Sequence, residues 1–73
     1  MAKVAAKSDV SGSVWKIEVT LGQKVAEGDT LVLIESMKME IPVVAEAAAT
    51  VASILVAEGD AIIEGQSVVT LET

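Results

Sequence analysis

The chain contains no cysteine, no histidine, no arginine, no phenylalanine and no tyrosine among its 73 residues. Without cysteine there is neither a disulfide framework nor a thiol nucleophile. Without histidine the commonest general acid–base group is missing. Basic charge is scarce, with five lysines against eleven carboxylates and a net charge of −6. That balance argues against nucleic acid, which recruits clustered basic residues, and against anionic membrane surfaces. The longest charge-free stretch, Ala47 to Ala57, falls well short of the about 20 apolar residues that span a bilayer. The opening Met1-Ala2-Lys3-Val4 starts no apolar signal core, and a cytoplasmic protein is the expectation. Proline and aromatics occur once each, as Pro42 and Trp15, so any core must be built from Val, Ile, Leu and Ala.

What is present is apolar and repetitive. Hydrophobic residues make up 52% of the chain, which opposes disorder. The length suits one small domain over residues 1–73, and such a domain hides only about 60% of its chain's surface, so stability should be modest. Residues 11–36 laid above residues 48–73, an offset of 37, match repeatedly. Val14 falls on Val51, Ile17 on Ile54, Gly22 on Gly59, Gly28 on Gly65, Val32 on Val69 and Glu35 on Glu72.

Strand signals dominate. Val14 to Val19 alternates, placing Trp15, Ile17 and Val19 on one predicted face and Lys16 and Glu18 on the other. Thr30–Glu35 and Ser67–Glu72 are apolar, β-branched runs. Met39–Ala45 reads as a further strand, and Pro42 within it favours an edge or a bulge. Leu21-Gly22-Gln23, Glu27-Gly28-Asp29, Glu58-Gly59-Asp60 and Glu64-Gly65-Gln66 read as turns. The alanine-rich stretch from Ala45 to Glu58 has helix propensity of its own, but it stands in the phase of the strand at Val14 to Val19. The repeat therefore predicts a strand over Thr50–Val56, with Ala52, Ile54 and Val56 sharing a face. Two similar halves, each supplying about four short strands, form a small all-β sandwich that covers both apolar faces.

Lys38 occupies the join between the halves. A two-residue link, Met37-Lys38, fits a tight hairpin between Ser36 and Met39, yet neither residue is the Gly, Asn or Asp that such turns prefer. A turn that ignores its preferred residues keeps those side chains for another purpose. Trp15 matches Ala52 in the repeat and reads as a packing residue. Glu58, Asp60 and Glu64 lack the ligand spacing of a calcium loop. No serine lies in a nucleophile-elbow pattern, and neither a catalytic nor a metal-ligating set is identified.

Glu35-Ser36-Met37-Lys38-Met39-Glu40 resembles the biotin attachment motif of biotin carboxyl carrier proteins, whose usual core is Ala-Met-Lys-Met. The resemblance spans about residues 8 to 73 and includes the paired glycine blocks Gly22–Gly28 and Gly59–Gly65. It implies a flattened eight-stranded barrel, two four-stranded sheets with a pseudo-two-fold axis and the target lysine on an exposed hairpin. It implies biotin joined through its carboxyl group to Lys38, with Met37 and Met39 read by a biotin protein ligase. Glu35, Ser36 and Glu40 are further candidates for that recognition. The implied partners are that ligase, a biotin carboxylase subunit and a carboxyltransferase subunit whose acceptor is commonly an acyl-CoA or a 2-oxo acid. The chain itself would be a non-catalytic carrier. Lipoyl domains share the fold but typically carry Asp-Lys-Ala around their lysine, so Met37 and Met39 favour biotin over lipoate. An unmodified interaction module with the same barrel is the third reading.

The chain departs from the family pattern at several points. Ser36 replaces the usual alanine, and the prolines that many members carry are absent at Asp9 and Glu46. Ala49 matches Gly12 in the repeat, and if that position requires positive φ, alanine costs about 1 kcal/mol there. No insertion between Val14 and Val25 makes the protruding thumb of some bacterial carriers.

Overall fold

The computed structural model describes residues 2–73. Eight strands follow one another: β1 (Lys3–Lys7), β2 (Gly12–Ile17), β3 (Lys24–Val25), β4 (Thr30–Ser36), β5 (Met39–Val44), β6 (Ala49–Ile54), β7 (Ala61–Ile62) and β8 (Ser67–Glu72). They form two four-stranded sheets, ordered β1-β8-β6-β3 and β5-β4-β2-β7. Every pairing is antiparallel. The result is the two-sheet all-β sandwich expected from the repeat, with the eight strands that the resemblance implied.

The offset of 37 residues carries β1 onto β5, β2 onto β6, β3 onto β7 and β4 onto β8. Each sheet therefore takes two strands from each half, and neither half can form a sheet of this kind alone. Further hydrogen bonds lock the halves in matched pairs. The Val14 N–H donates to the Asp60 carbonyl at 2.9 Å and the Gly59 N–H to the Val14 carbonyl at 2.8 Å. Their counterparts run from Val51 to Gln23 at 2.8 Å and from Gly22 to Val51 at 2.9 Å.

The glycine turns repeat in the same way. Gly28 and Gly65 hold φ of 91° and 87°, the left-handed region that a turn's third residue needs and a Cβ resists. The Asp29 N–H closes one turn onto the Ala26 carbonyl at 3.0 Å, and the Gln66 N–H closes the other onto Ile63 at 2.9 Å. Each side chain then accepts from the first residue of its own turn, Ala26 to Asp29 Oδ2 at 2.9 Å and Ile63 to Gln66 Oε1 at 3.0 Å.

The segment with helix propensity forms β6, because pairing with both β8 and β3 overrides the preference of its alanines. Ala49 begins that strand opposite Val25 and is not among the non-glycine residues of positive φ, so the feared cost does not arise. Pro42 lies on β5, an edge strand, as its missing donor requires.

The expected face of β2 needs correction. The register between β2 and β4 slips between Val14 and Lys16, and between β6 and β8 it slips between Val51 and Ser53. Trp15 and Ala52 are thus the extra residues of two β-bulges, and a bulge resets the alternation of sides. Val14 and Val51 point into the core, whereas Trp15 stays 48% exposed. Simple period-two counting placed Trp15 inside because it could not register the extra residue.

Leu31, Val32, Ile34, Val51, Val68 and Val69 are the largest fully buried apolar side chains. Every member of the buried cluster is Val, Leu, Ile or Ala, as the lack of aromatics demanded. Ser8 is the buried polar exception among the described residues. Its Oγ donates to the Val10 carbonyl at 2.7 Å and accepts the Val10 N–H at 3.3 Å.

Candidate functional site

The hairpin between β4 and β5 grows from the core outward. Ile34 lies opposite Ile41, then Glu35 opposite Glu40, then Ser36 opposite Met39. Ile34 is fully buried and fixes the register at the base. Exposure rises toward the tip, reaching 64% at Met39 and 94% at Met37. Met37 and Lys38 close the turn with φ of 51° and 67°. Positive φ at both central residues defines a type I′ turn, whose twist matches the strands it joins. Side chains with a Cβ disfavour that region by about 1–2 kcal/mol each. The hairpin holds this strain at the two residues that the sequence singled out, as functional sites often do.

Lys38 is exposed at the apex. Among the described residues the one ion pair joins Lys16 to Glu18 at 3.5 Å; neither Glu35 nor Glu40 holds the Lys38 ammonium. The amine therefore stands open to solvent. Glu35 and Glu40 are both exposed and directly opposite each other, an arrangement of like charges that opposes strand pairing.

Ser36 differs from the other five candidates. Its hydroxyl donates to the Ser11 carbonyl at 2.8 Å, and Ser11 Oγ in turn accepts the Glu64 N–H at 3.0 Å. The strand end beside the turn is thereby tied to the β1–β2 loop and through it to the turn after β7. Gly12 completes this support. A Cβ on Gly12 would fall on the Glu35 carbonyl oxygen and lie 3.1 Å from Ile34 Cγ2, so the start of β2 approaches the hairpin only because the residue is glycine. The sequence reading missed Ser11 and Glu64, which carry no local signal. Gly12 was legible as the one position of its kind that the repeat does not share, although its purpose is close approach and not positive φ.

A groove of 550 Å³ runs between edge strands β1 and β5, but residues 35–40 do not line it. No grouping of acidic side chains suited to a metal ion occurs among the described residues. No helix there is long and apolar enough to cross a membrane.

A barrel of this shape has known relatives. Residues 4–71 match the family model described as biotin-requiring enzyme, of the biotin/lipoyl type. The chain is 40% identical over 65 residues to a biotinylated protein TB7.3 homolog of Mycobacterium leprae, covering 89% of this chain and 92% of that one. It is 37% identical over 62 residues to the biotin/lipoyl attachment protein of Bacillus subtilis, covering 85% of each. Among solved structures, it superposes on part of the urea carboxylase of Kluyveromyces lactis with a TM-score of 0.92 at 31% identity. That match covers 97% of this chain and 6% of the carboxylase. The chain belongs to the biotin/lipoyl attachment family.

Proposed function

We propose that residues 1–73 act as a biotin carrier domain and that Lys38 is its attachment site. The observation that carries the reading is the hairpin tip: an open amine on a strained two-residue turn, flanked by Met37 and Met39, on a barrel of this family. The exposed, unpaired amine fits a group joined through an amide. The names of the relatives, biotinylated protein among them, support biotin. Met37 and Met39 stand where lipoyl domains typically carry Asp and Ala.

Loading is an acyl transfer. The Lys38 nitrogen sheds a proton, attacks the activated carboxyl carbon of biotin and displaces the activating group, leaving a neutral amide. The hairpin presents that nitrogen from an open direction, on a short turn whose neighbouring Ser36 is hydrogen-bonded to the Ser11 carbonyl. Lys38 would hold biotin, which would supply a carrier for a carboxyl group between a biotin carboxylase and a carboxyltransferase. The protein supplies a tether and therefore a high effective concentration, and performs no bond chemistry of its own. An acceptor of the acyl-CoA or 2-oxo acid class is the expected destination.

Purified chain incubated with a biotin protein ligase, biotin and ATP should become streptavidin-reactive, and the Lys38→Arg chain should not. An unlabelled parent chain under these conditions refutes the reading. The word lipoyl in the name of the Bacillus relative keeps lipoate as the alternative cargo. Intact mass of protein from its native cell distinguishes the two adducts.

A further inference from the structure

The internal repeat supplies its own control for what folding requires. On the outer face of the sheet that carries Lys38, one cross-strand row is Lys16, Leu33 and Pro42. The next row toward the hairpin is Ser13, Glu35 and Glu40, and the bulged Trp15 lies between the two. The offset of 37 carries these rows onto Ser53, Thr70 and Ala5, and onto Thr50, Glu72 and Lys3, with Ala52 at the bulge. The other sheet pairs those residues in the same register. The two faces are thus one architecture bearing two sets of side chains.

Where the other sheet has alanine and threonine, the Lys38 sheet has Trp15, Leu33 and Pro42. Where the other sheet sets Lys3 opposite Glu72, the Lys38 sheet sets Glu40 opposite Glu35. A fold that works with Ala52 and a balanced charge pair on one side has no need of a half-exposed tryptophan and two facing carboxylates on the other. Leu21, Leu55 and Ile63 are also exposed but lie outside the strands, and Val4 and Val44 are exposed on the edge strands β1 and β5.

We propose that this outer face docks the enzyme that acylates Lys38, with Trp15 entering an apolar pocket of that enzyme and Glu35 and Glu40 meeting a lysine- or arginine-bearing rim. The inference rests on the biotin-carrier reading and adds to it the surface by which the modifying enzyme binds. Tryptophan is the side chain most suited to anchor an interface from a small exposed area. The bulge re-aims it outward beside the strand that ends at the hairpin. Charge complementarity favours a cationic partner, since the chain carries −6 overall and doubles its carboxylates at this row. An unmodified lysine reaches much less far than one extended by biotin, so an enzyme acting on its nitrogen must lie close to the strands that bear it. A loaded arm lets the domain stand off from later partners, so the acylating enzyme is the occupant that the geometry favours.

The test compares initial rates of ligase-catalysed biotin loading for four full-length chains: the parent, Trp15→Ala, Glu40→Lys and Ala52→Trp. The first two variants install what the repeat already tolerates at residues 52 and 3. Trp15→Ala should raise KM by about tenfold or more with kcat little changed. Glu40→Lys should raise KM and flatten its dependence on salt. Ala52→Trp, on the other sheet, should match the parent. The Lys38→Arg chain should compete for the ligase, and adding Trp15→Ala to it should weaken that competition by a similar factor. If both face variants keep KM within about twofold of the parent, the docking face is wrong. Should Trp15→Ala melt early, the KM of Glu40→Lys decides alone, because it recreates a pairing already present in the fold. A parent that is never loaded overturns the carrier reading itself, whereas a loaded parent with unaltered variants overturns only the docking face.

Discussion

Replacing Met37 by asparagine and Lys38 by glycine should raise the melting temperature, although it destroys the attachment site. Both residues hold left-handed backbone, at about 1–2 kcal/mol each for a side chain with a Cβ. Glycine at 38 removes that cost but gives back about 0.4–1 kcal/mol through the greater freedom of the unfolded chain. Asparagine at 37 recovers only part of the penalty, because its short polar side chain tolerates the region better than methionine does. Little packing is lost in exchange, since Met37 is 94% exposed and Lys38 is also exposed. The net gain is about 1 kcal/mol, which in a domain of this size corresponds to a rise of about 4–8 °C. Scanning calorimetry on the parent, the two single variants and the double variant measures it directly. Met37→Asn alone should gain a few tenths of a kcal/mol and keep the amine, so the same samples report whether the methionine matters to the ligase. A double variant that melts at or below the parent's temperature would mean the turn is unstrained, and the claim that it keeps those residues for function would fail.

Other substitutions test the framework around the tip. Ile34→Ala removes a fully buried side chain at the hairpin base and should cost about 2–5 kcal/mol in chemical denaturation, enough to unfold much of a small domain. Gly12→Ala forces a Cβ onto the Glu35 carbonyl and should destabilise by about 1–3 kcal/mol, whereas Ala49→Gly at the matching position should change the melting temperature far less. Ser36→Ala removes the bond to Ser11 and should lose about 0.5–1.5 kcal/mol in urea titration, with loading by the ligase retained. Lys38→Arg should leave the melting temperature unchanged, because the exposed amine has no ion-pair partner among the described residues.

Much of the molecule was written in local pattern and repetition. The apolar runs set the strands, the glycine blocks set the turns, and the two-residue join between halves set the hairpin that bears Lys38. The repeat even decided for a strand against the propensity of its alanines, expected over Thr50–Val56 and found at Ala49–Ile54. Repetition reports symmetry, and symmetric halves meet the same neighbours, so comparing them could stand in for a structure. Only the tertiary fold could decide what depends on register and on contacts across the chain. A bulge adds one residue to one strand with no mark in composition, and it turned Trp15 from the core to the surface. The tie from Ser36 through Ser11 to Glu64 joins residues distant in sequence, and their meeting is a property of packed sheets rather than of any segment.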